Sequence, residues 1–491
     1  MKTTDLRFDV LLRSACSLLL FGCVSATMPP AALAPAKAAA PAAAATAPAP
    51  SFATLVDRDL DTPTLKTALW AALIEDDAGN VLYARNAHTL VMPASNRKLF
   101  SAATVANCLG VGTTLKTELW LEGKDLVLHG GGDPSFGGRY VYDRDALFAP
   151  VVAALRARGT TSIDGDLVAD VSAFDRQTLP PSWKVGYVGS NYAVPVDALA
   201  YNENVIGVVV EDRDCLHPIV MTDPSFIPAS VVGLTCGAEG EEPDYIAAAD
   251  NSVVVSGSVA RSDAAHVSEL VGIHDPALYA AQALRDALLH AGIRVRGGIR
   301  VRTEARAGAP REAIATLESQ PLFELLAIEL KPSQNHYAEM LFKDVSLGSG
   351  GPASYRASLA REREFLTGEA GVAAGEFRFA DGCGLSTEDL VTPAAVVTLL
   401  RWMNAPERRG IFHSILATPA EEGTLRRRLT ELAPRLRGKT GTISGVAALS
   451  GILRGNDGRD RYFSLIVNHS AAAGSDATKA IDAVVRELAK Y

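Results

Sequence analysis

Ser95 and Lys98, three residues apart in Pro93-Ala94-Ser95-Asn96-Arg97-Lys98, are a pair that could do covalent chemistry. At a helix start that spacing puts both side chains on one face, about one turn apart. The serine then gains from the partial positive charge of the helix N-terminus. The lysine can take the serine's proton once its own amine is neutral. Alone, Ser-x-x-Lys is weak evidence, because exposed helix starts often carry it. Two more short motifs follow in order, and each of the three patterns occurs once: Ser333-Gln334-Asn335 and Lys439-Thr440-Gly441. Lys331-Pro332 interrupts a helical pattern just before Ser333. Proline breaks the helix ladder, while Ser and Asn favour caps and turns, so Ser333 and Asn335 are expected at a helix-to-helix junction facing a cleft. Lys439 is a cation at the start of a strand, with the hydroxyls of Thr440 and Thr442 beside it. Gly441 lets a backbone come close to a ligand.

The elements that must hold these motifs come from both ends of the chain. Residues 68–75 and 81–85 read as strands around the turn Asp77-Ala78-Gly79-Asn80. Leu99, Ala102, Ala103, Ala106 and Leu109 give a helix with an apolar face, ended by Gly110. Thr392-Pro393 reads as the cap and first position of a helix running to about Met403. In the C-terminal part, Lys439 leads into a strand over Val446–Leu453, a turn at Gly455-Asn456-Asp457-Gly458, a return strand over Tyr462–Val467 and a closing helix capped by Ser475 or Asp476. Two N-terminal and three C-terminal strands are expected to form one antiparallel sheet. Between them lie helical runs at 146–158 and 276–291 and loop-rich, Val-rich strand material at 200–260. That middle part reads as an insertion into another domain. Gly130-Gly131-Gly132-Asp133-Pro134 is a turn cluster. It lacks the lysine and following Ser/Thr of a phosphate-binding loop.

Composition narrows the field. With 48% hydrophobic and 21% charged residues the chain has ample material for a core. A formal charge of −9 argues against a nucleic-acid partner. Residues 1–26 read as an export signal: Lys2, Arg7 and Arg13 precede a short apolar run and small residues. Leu20-Phe21-Gly22-Cys23 offers a second route, in which Cys23 becomes a lipidated first residue. Residues 27–51, nearly all Ala and Pro, read as a tether. No later stretch is long and apolar enough to span a bilayer. An exported chain can oxidise its thiols, and Cys215 and Cys236 are the candidate pair. Cys108 reads as a buried thiol. Glu339 and Asp344 read as solvated helix residues, and Trp183, Tyr187 and Tyr192 as core aromatics with pocket lining as the alternative. His129, His336 and His469 show no partner for a Ser-His-Asp triad.

The three motifs together resemble those of penicillin-binding proteins and serine β-lactamases. More closely the chain is similar to the class C low-molecular-mass penicillin-binding proteins, the D-alanyl-D-alanine carboxypeptidase/endopeptidases. The likeness spans about residues 52–491 and includes Asp381-Gly382-Cys383-Gly384-Leu385-Ser386, Gly423-Thr424-Leu425 and Ser464-Leu465-Ile466-Val467-Asn468. The long gap from Ser95 to Ser333 separates it from class A β-lactamases. Gln334 stands where the lactamase motif has Asp.

The resemblance implies an α+β fold: a β-lactamase/transpeptidase-like catalytic domain, with a five-stranded antiparallel sheet and helices, from 52–112 and 312–491. One inserted α/β domain comes from 113–200 and 256–311, and a second, β-rich one from 201–255. It implies a periplasmic or membrane-tethered serine peptidase acting on peptidoglycan stem peptides and inhibited by β-lactams, with no metal or organic cofactor. Ser95 would be the nucleophile and Lys98 the base, its neutral form favoured by burial and by the charge of Lys439. Ser333 would relay the proton and Asn335 would bind the substrate amide. Lys439, Thr440 and Thr442 would hold the terminal carboxylate, and Gly441 would allow close approach. The backbone N–H groups of Ser95 and Thr442 would form the oxyanion hole. A β-lactamase or esterase of the same superfamily is the enzymatic alternative, and a peptidoglycan-binding module without turnover the non-enzymatic one.

Overall fold

In the computed structural model, residues 50–211, 219–237, 242–260, 266–305 and 312–491 are described. The expected signal, the expected tether as far as residue 49, Cys23 and Cys215 lie outside them, while Ser51, the last residue assigned to the tether, caps the first helix by accepting the Thr54 N–H. The side chain of Cys236 is likewise not described, so the expected thiol pair is not among the described features.

Five strands make the central sheet: β1 (Leu69–Asp76), β2 (Val81–Arg85), β3 (Leu436–Ile443), β4 (Val446–Arg454) and β5 (Asp460–Asn468), in the order β3-β4-β5-β1-β2. Every neighbouring pair is antiparallel, with Trp70 opposite Val467 and Lys439 opposite Ser450. Successive strand side chains point to opposite faces. Here both faces are apolar. Trp70, Ala72, Ile74, Leu449, Phe463 and Leu465 pack on one side, and Ala71, Leu73, Ala448, Ile452 and Ile466 on the other. Such a sheet must be covered twice. The first face receives α1 (Phe52–Leu60) and the closing helix α8 (Gly474–Leu488), bringing the two ends of the domain together. The second face receives α2 (Lys98–Leu109), α3 (Leu322–Leu330), α4 (Asn335–Asp344), α5 (Tyr355–Gly368), α6 (Pro393–Met403) and α7 (Pro406–Ile415).

Local chemistry sets most of these boundaries. Thr392 Oγ1 accepts the Ala395 N–H at 3.0 Å, and Pro393 opens α6. Gly110 ends α2 with φ +79°. Helix α8 departs from expectation: it starts at Gly474 behind Ala473, and no side chain caps it, so Ser475 and Asp476 lie inside the helix. Ser and Asp are good caps only when they precede the first turn.

The middle of the chain adds separate sheets. Ile299–Arg302, Leu167–Asp170, Asp125–His129, Lys116–Glu122 and Ala315–Glu318 form a mixed five-stranded sheet in that order. Helices Arg144–Ala157 and Pro276–His290 share its core. Val205–Glu211 lies between Ile219–Asp223 and His266–Gly272, and Val253–Ala260 pairs with Thr235–Gly237, Pro243–Ala247 and Ala229–Val231. These pairings run past the expected divisions at 255 and 311. Val253–Ala260 straddles the first, and Ala315–Glu318 joins the inserted sheet beyond the second. A strand's own sequence does not name its partner.

Candidate active site

Ser95 sits in a 3-10 turn, Ala94–Arg97, that runs directly into α2. The turn is held from three sides. Asn96 Nδ2 donates to Ser450 Oγ on β4 at 2.7 Å. Arg97 makes a two-pronged pair with Glu362 on α5, at 2.6 and 2.9 Å, and donates through Nε to Asp381 O at 2.9 Å. Its guanidinium also lies over Phe379, 4.0 Å from the ring centre. Asn468 at the end of β5 grips Met92 through both N–H and C=O, at 2.8 and 3.0 Å. Ala94 takes φ +47°, unusual for a residue with a side chain. Such strain persists only where the surroundings over-determine it.

The expected residues meet here. Lys98 Nζ donates to Ser95 Oγ at 3.1 Å, to Asn335 Oδ1 at 2.6 Å and to Cys383 O at 2.9 Å. Lys439 Nζ donates to Ser333 Oγ at 2.8 Å and to its neighbour's carbonyl, Thr440 O, at 2.9 Å. Both lysines are fully buried. Ser333 lies between α3 and α4 with φ +68°, and Asn335 opens α4. Thr440 Oγ1 donates to Thr424 Oγ1 at 2.8 Å, so the Gly423-Thr424 turn backs the Lys439 strand. A Cβ added to Gly441 would stand 2.8 Å from Pro93 O and 3.1 Å from Ser95 N. Only glycine therefore lets β3 run this close to the serine's backbone N–H. A pocket of about 390 Å³ opens above, lined by Ser95, Asn335, Gly384, Leu385, Thr442 and Ile443, with Tyr187 and Tyr192 at its side.

Burial lowers the Lys439 ammonium well below the ordinary lysine value, with the charge of Lys98 adding to the effect and Glu329 opposing it. Glu329 on α3 is itself fully buried and pushed up to about 7 by desolvation, against the pull of Ser101 and Lys98. Sequence reasoning passed over it. Its signal was position: Leu322, Leu325, Leu326 and Glu329 follow helical spacing, so Glu329 occupies the apolar face.

Several expectations need correction. Glu339 and Asp344 are not solvated; both are fully buried. Glu339 accepts the N–H groups of Gly382 at 3.0 Å and Cys383 at 2.7 Å. Asp381 accepts those of Gly384 and Ser386, each at 2.7 Å, and the Trp183 indole N–H at 2.9 Å. Glu339, Asp381 and Cys383 are close enough together for metal ligation. Their carboxylate oxygens are instead engaged in folding the 381–386 loop, which presents the Cys383 carbonyl to Lys98. Tyr187 and Tyr192 are pocket residues rather than core, and Trp183 is half-buried on the loop's carboxylate. Asn335 uses its whole carboxamide in the free protein, because Nδ2 donates to Tyr192 O at 2.8 Å. Cys108 is a free thiol, half-buried. His336 is buried against Asn204, at 3.1 Å, and the His129 ring lies tilted against Trp120, 5.3 Å between ring centres. Neither is placed at Ser95.

The site thus lies at the β3 edge of an antiparallel sheet covered by helices on both faces, and brings a serine together with two buried lysines. The chain belongs to the D-Ala-D-Ala carboxypeptidase 3 (S13) family, whose profile matches residues 53–488. It is 30% identical over 465 residues to a D-alanyl-D-alanine carboxypeptidase of Actinomadura sp. (strain R39), covering 89% of this chain and 84% of the relative. Against the carboxypeptidase DacB of Haemophilus influenzae the identity is 25%, over 78% and 81% of the two chains. The fold is that of penicillin binding protein 4 from Haemophilus influenzae, with a TM-score of 0.77 at 22% identity, covering 89% of this chain and 99% of that one.

Proposed function

We propose that this chain cleaves the D-Ala-D-Ala bond of peptidoglycan stem peptides, as a carboxypeptidase, an endopeptidase or both, through an acyl-enzyme on Ser95. The hydrogen-bonded set of Ser95, Lys98 and Asn335, two of which line one pocket, with the bonded Ser333–Lys439 pair close enough for Lys439 to feel the Lys98 charge, carries the reading. As a neutral amine, Lys98 accepts the Ser95 proton while Oγ bonds to the scissile carbonyl carbon. The carbonyl oxygen becomes an oxyanion facing the N–H groups of Ser95 and Thr442. A well-placed donor of this kind contributes about 3–4 kcal/mol in a comparable enzyme. As the tetrahedral intermediate collapses, the C–N bond breaks and the leaving amine takes the proton that Lys98 gained from Ser95, relayed through Ser333, which leaves Lys98 neutral again. Water then attacks the ester carbonyl and gives a proton to Lys98; the acyl C–O bond breaks, and Lys98 returns that proton to Oγ, regenerating Ser95. Lys439, with Thr440 and Thr442, holds the substrate's terminal carboxylate. Asn335 orients Lys98 and offers its amide to the substrate in exchange for the Tyr192 carbonyl.

β-Lactams offer the same serine a strained amide and are expected to acylate it. Residues 1–26 are proposed to export the chain and 27–51 to tether it, with Cys23 as the lipid attachment point on the alternative route; the destination is the periplasm. Among the described residues no helix is long and apolar enough to cross a membrane.

Intact-protein mass spectrometry with a penicillin tests this. One adduct should form, mapping to the peptide that holds Ser95, and Ser95→Ala should prevent it. Folded wild-type protein that gains no adduct defeats the assignment. Rapid adduct turnover without release of D-alanine from a stem peptide would make the chain a β-lactamase instead.

A further inference from the structure

Three successive residues from the second motif onward, Gln334, Asn335 and His336, are each held by the inserted part of the chain. Gln334 Nε2 donates to Glu203 Oε2 at 2.6 Å. Asn335 Nδ2 donates to Tyr192 O at 2.8 Å, and His336 Nε2 meets Asn204 Nδ2 at 3.1 Å. The gripping turn is itself unusual. Asn202, Glu203 and Asn204 take φ of +50°, +54° and +58° in succession. Asparagine tolerates this region, but glutamate does not favour it. A strained glutamate persists where other contacts over-determine it. They do here. Arg139 holds the same carboxylate through Nε at 2.7 Å and a second nitrogen at 3.2 Å. Asn202 N–H donates to Phe136 O at 3.0 Å, and Asn204 Nδ2 to Pro195 O at 2.8 Å.

We infer that Glu203 is a positioning residue for the proposed reaction, acting through Gln334 to fix Ser333 and Asn335 against the two lysines. The inference rests on the acyl-enzyme reading above. It also accounts for the glutamine. The Gln334 carboxamide has a donor end for Glu203, while its Oε1 accepts the His336 N–H at 3.3 Å. An aspartate, as in the lactamase motif, would set a second carboxylate against Glu203 with no proton between them. Like charges at that separation repel. The loop would have to move, and with it Ser333, whose left-handed backbone leaves little room to adjust. Displacing reacting groups by about 1 Å can cost about 100-fold in rate.

The test is stopped-flow acylation by a chromogenic cephalosporin, with active-site titration and thermal unfolding run in parallel. Gln334→Asp should lower the limiting acylation rate about 10- to 100-fold, with one adduct per chain still reached. Adding Glu203→Gln should bring the rate back to within about threefold of wild type, because the new carboxamide at position 203 can donate to the new carboxylate at position 334. Glu203→Ala alone should slow acylation about tenfold, the loss expected for a charge-assisted hydrogen bond. It also serves if Gln334→Asp does not fold. A purely structural bond would move the unfolding midpoint or the titrated fraction and leave the limiting rate alone. Wild-type rates in Gln334→Asp or Glu203→Ala, or a folded double variant as slow as Gln334→Asp, overturn the inference while leaving the acyl-enzyme reading standing. A wild-type protein that takes no β-lactam overturns both.

Discussion

Two buried lysines share one site, and they are not equivalent. Lys98 is engaged by Ser95, Asn335 and the Cys383 carbonyl, whereas among the described residues Lys439 donates to Ser333 and to a backbone carbonyl. Burial and the Lys98 charge lower the Lys439 ammonium. The cation exists below its pKa, so lowering that pKa brings its loss to lower pH. For a substrate with a free terminal carboxylate, kcat/KM should therefore begin to fall well below pH 10.5, the ordinary lysine value. Lys439→Arg should keep the charge and flatten that alkaline limb, at a lower absolute rate. Glu329→Gln should move the limb lower still, because the ionised carboxylate, present above about pH 7, supports the Lys439 charge. The pH profile of kcat/KM checks both, and an unmoved limb in Lys439→Arg removes Lys439 from carboxylate binding. Gly441→Ala is a steric counterpart. Its methyl would press on Pro93 O and Ser95 N, disturbing an oxyanion donor, and acylation should slow about 100-fold.

At the scale of elements, most of the framework could be read before the structure. The Thr392-Pro393 helix start and the strands flanking Asp77–Asn80 follow from caps, proline and turn chemistry, which are local. What could not be read depends on partners. Glu339 and Asp344 look like ordinary polar helix residues, yet α4 is packed against α2, α3 and α5, with Glu339 on the 381–386 loop and Asp344 against the Gly132 turn, and both are buried. Tyr187 and Tyr192 become pocket residues only because the 183–192 segment folds back over Asn335. The three motifs were legible because each carries its chemistry in three or four adjacent residues; Glu203 and Glu329 were not, because their meaning lies in what they face. The element that positions Ser95 also makes a stability prediction. Arg97 and Glu362 are fully buried and paired. Glu362→Ala removes the paired carboxylate and leaves the buried guanidinium to the charges of Asp389 and Asp381, and should cost about 3–5 kcal/mol. Urea unfolding read by tryptophan fluorescence measures it, and a loss under about 1 kcal/mol would mean that Asp381 O and the rings around Arg97 suffice without the carboxylate.

On the scale of the whole molecule, the catalytic sheet is closed by chain ends far apart in sequence. β1 pairs with β5 along its full length, and β2 is reached only through β1. The face away from the site is sealed by Phe52, Val56 and Leu60 of α1 together with Ile481, Val484, Val485 and Leu488 of α8. Neither helix carries a motif residue. A chain ending at residue 473 would keep Ser95, Lys98, Ser333, Asn335 and Lys439 but uncover the apolar face of β4, β5 and β1. Each large apolar side chain so exposed forfeits about 1.5–3 kcal/mol. Several such losses exceed the roughly 5–15 kcal/mol that holds a domain folded. That truncation should therefore give no penicillin-reactive protein. A chain starting at Pro50 keeps α1 and the whole sheet, and its acylation rate should match that of the longer chain. Titrating both truncations with a labelled penicillin decides the matter. Reactivity without α8 would show that the motif-bearing face stands without the seal behind it, and that the two ends meet for a reason other than holding Ser95 in place.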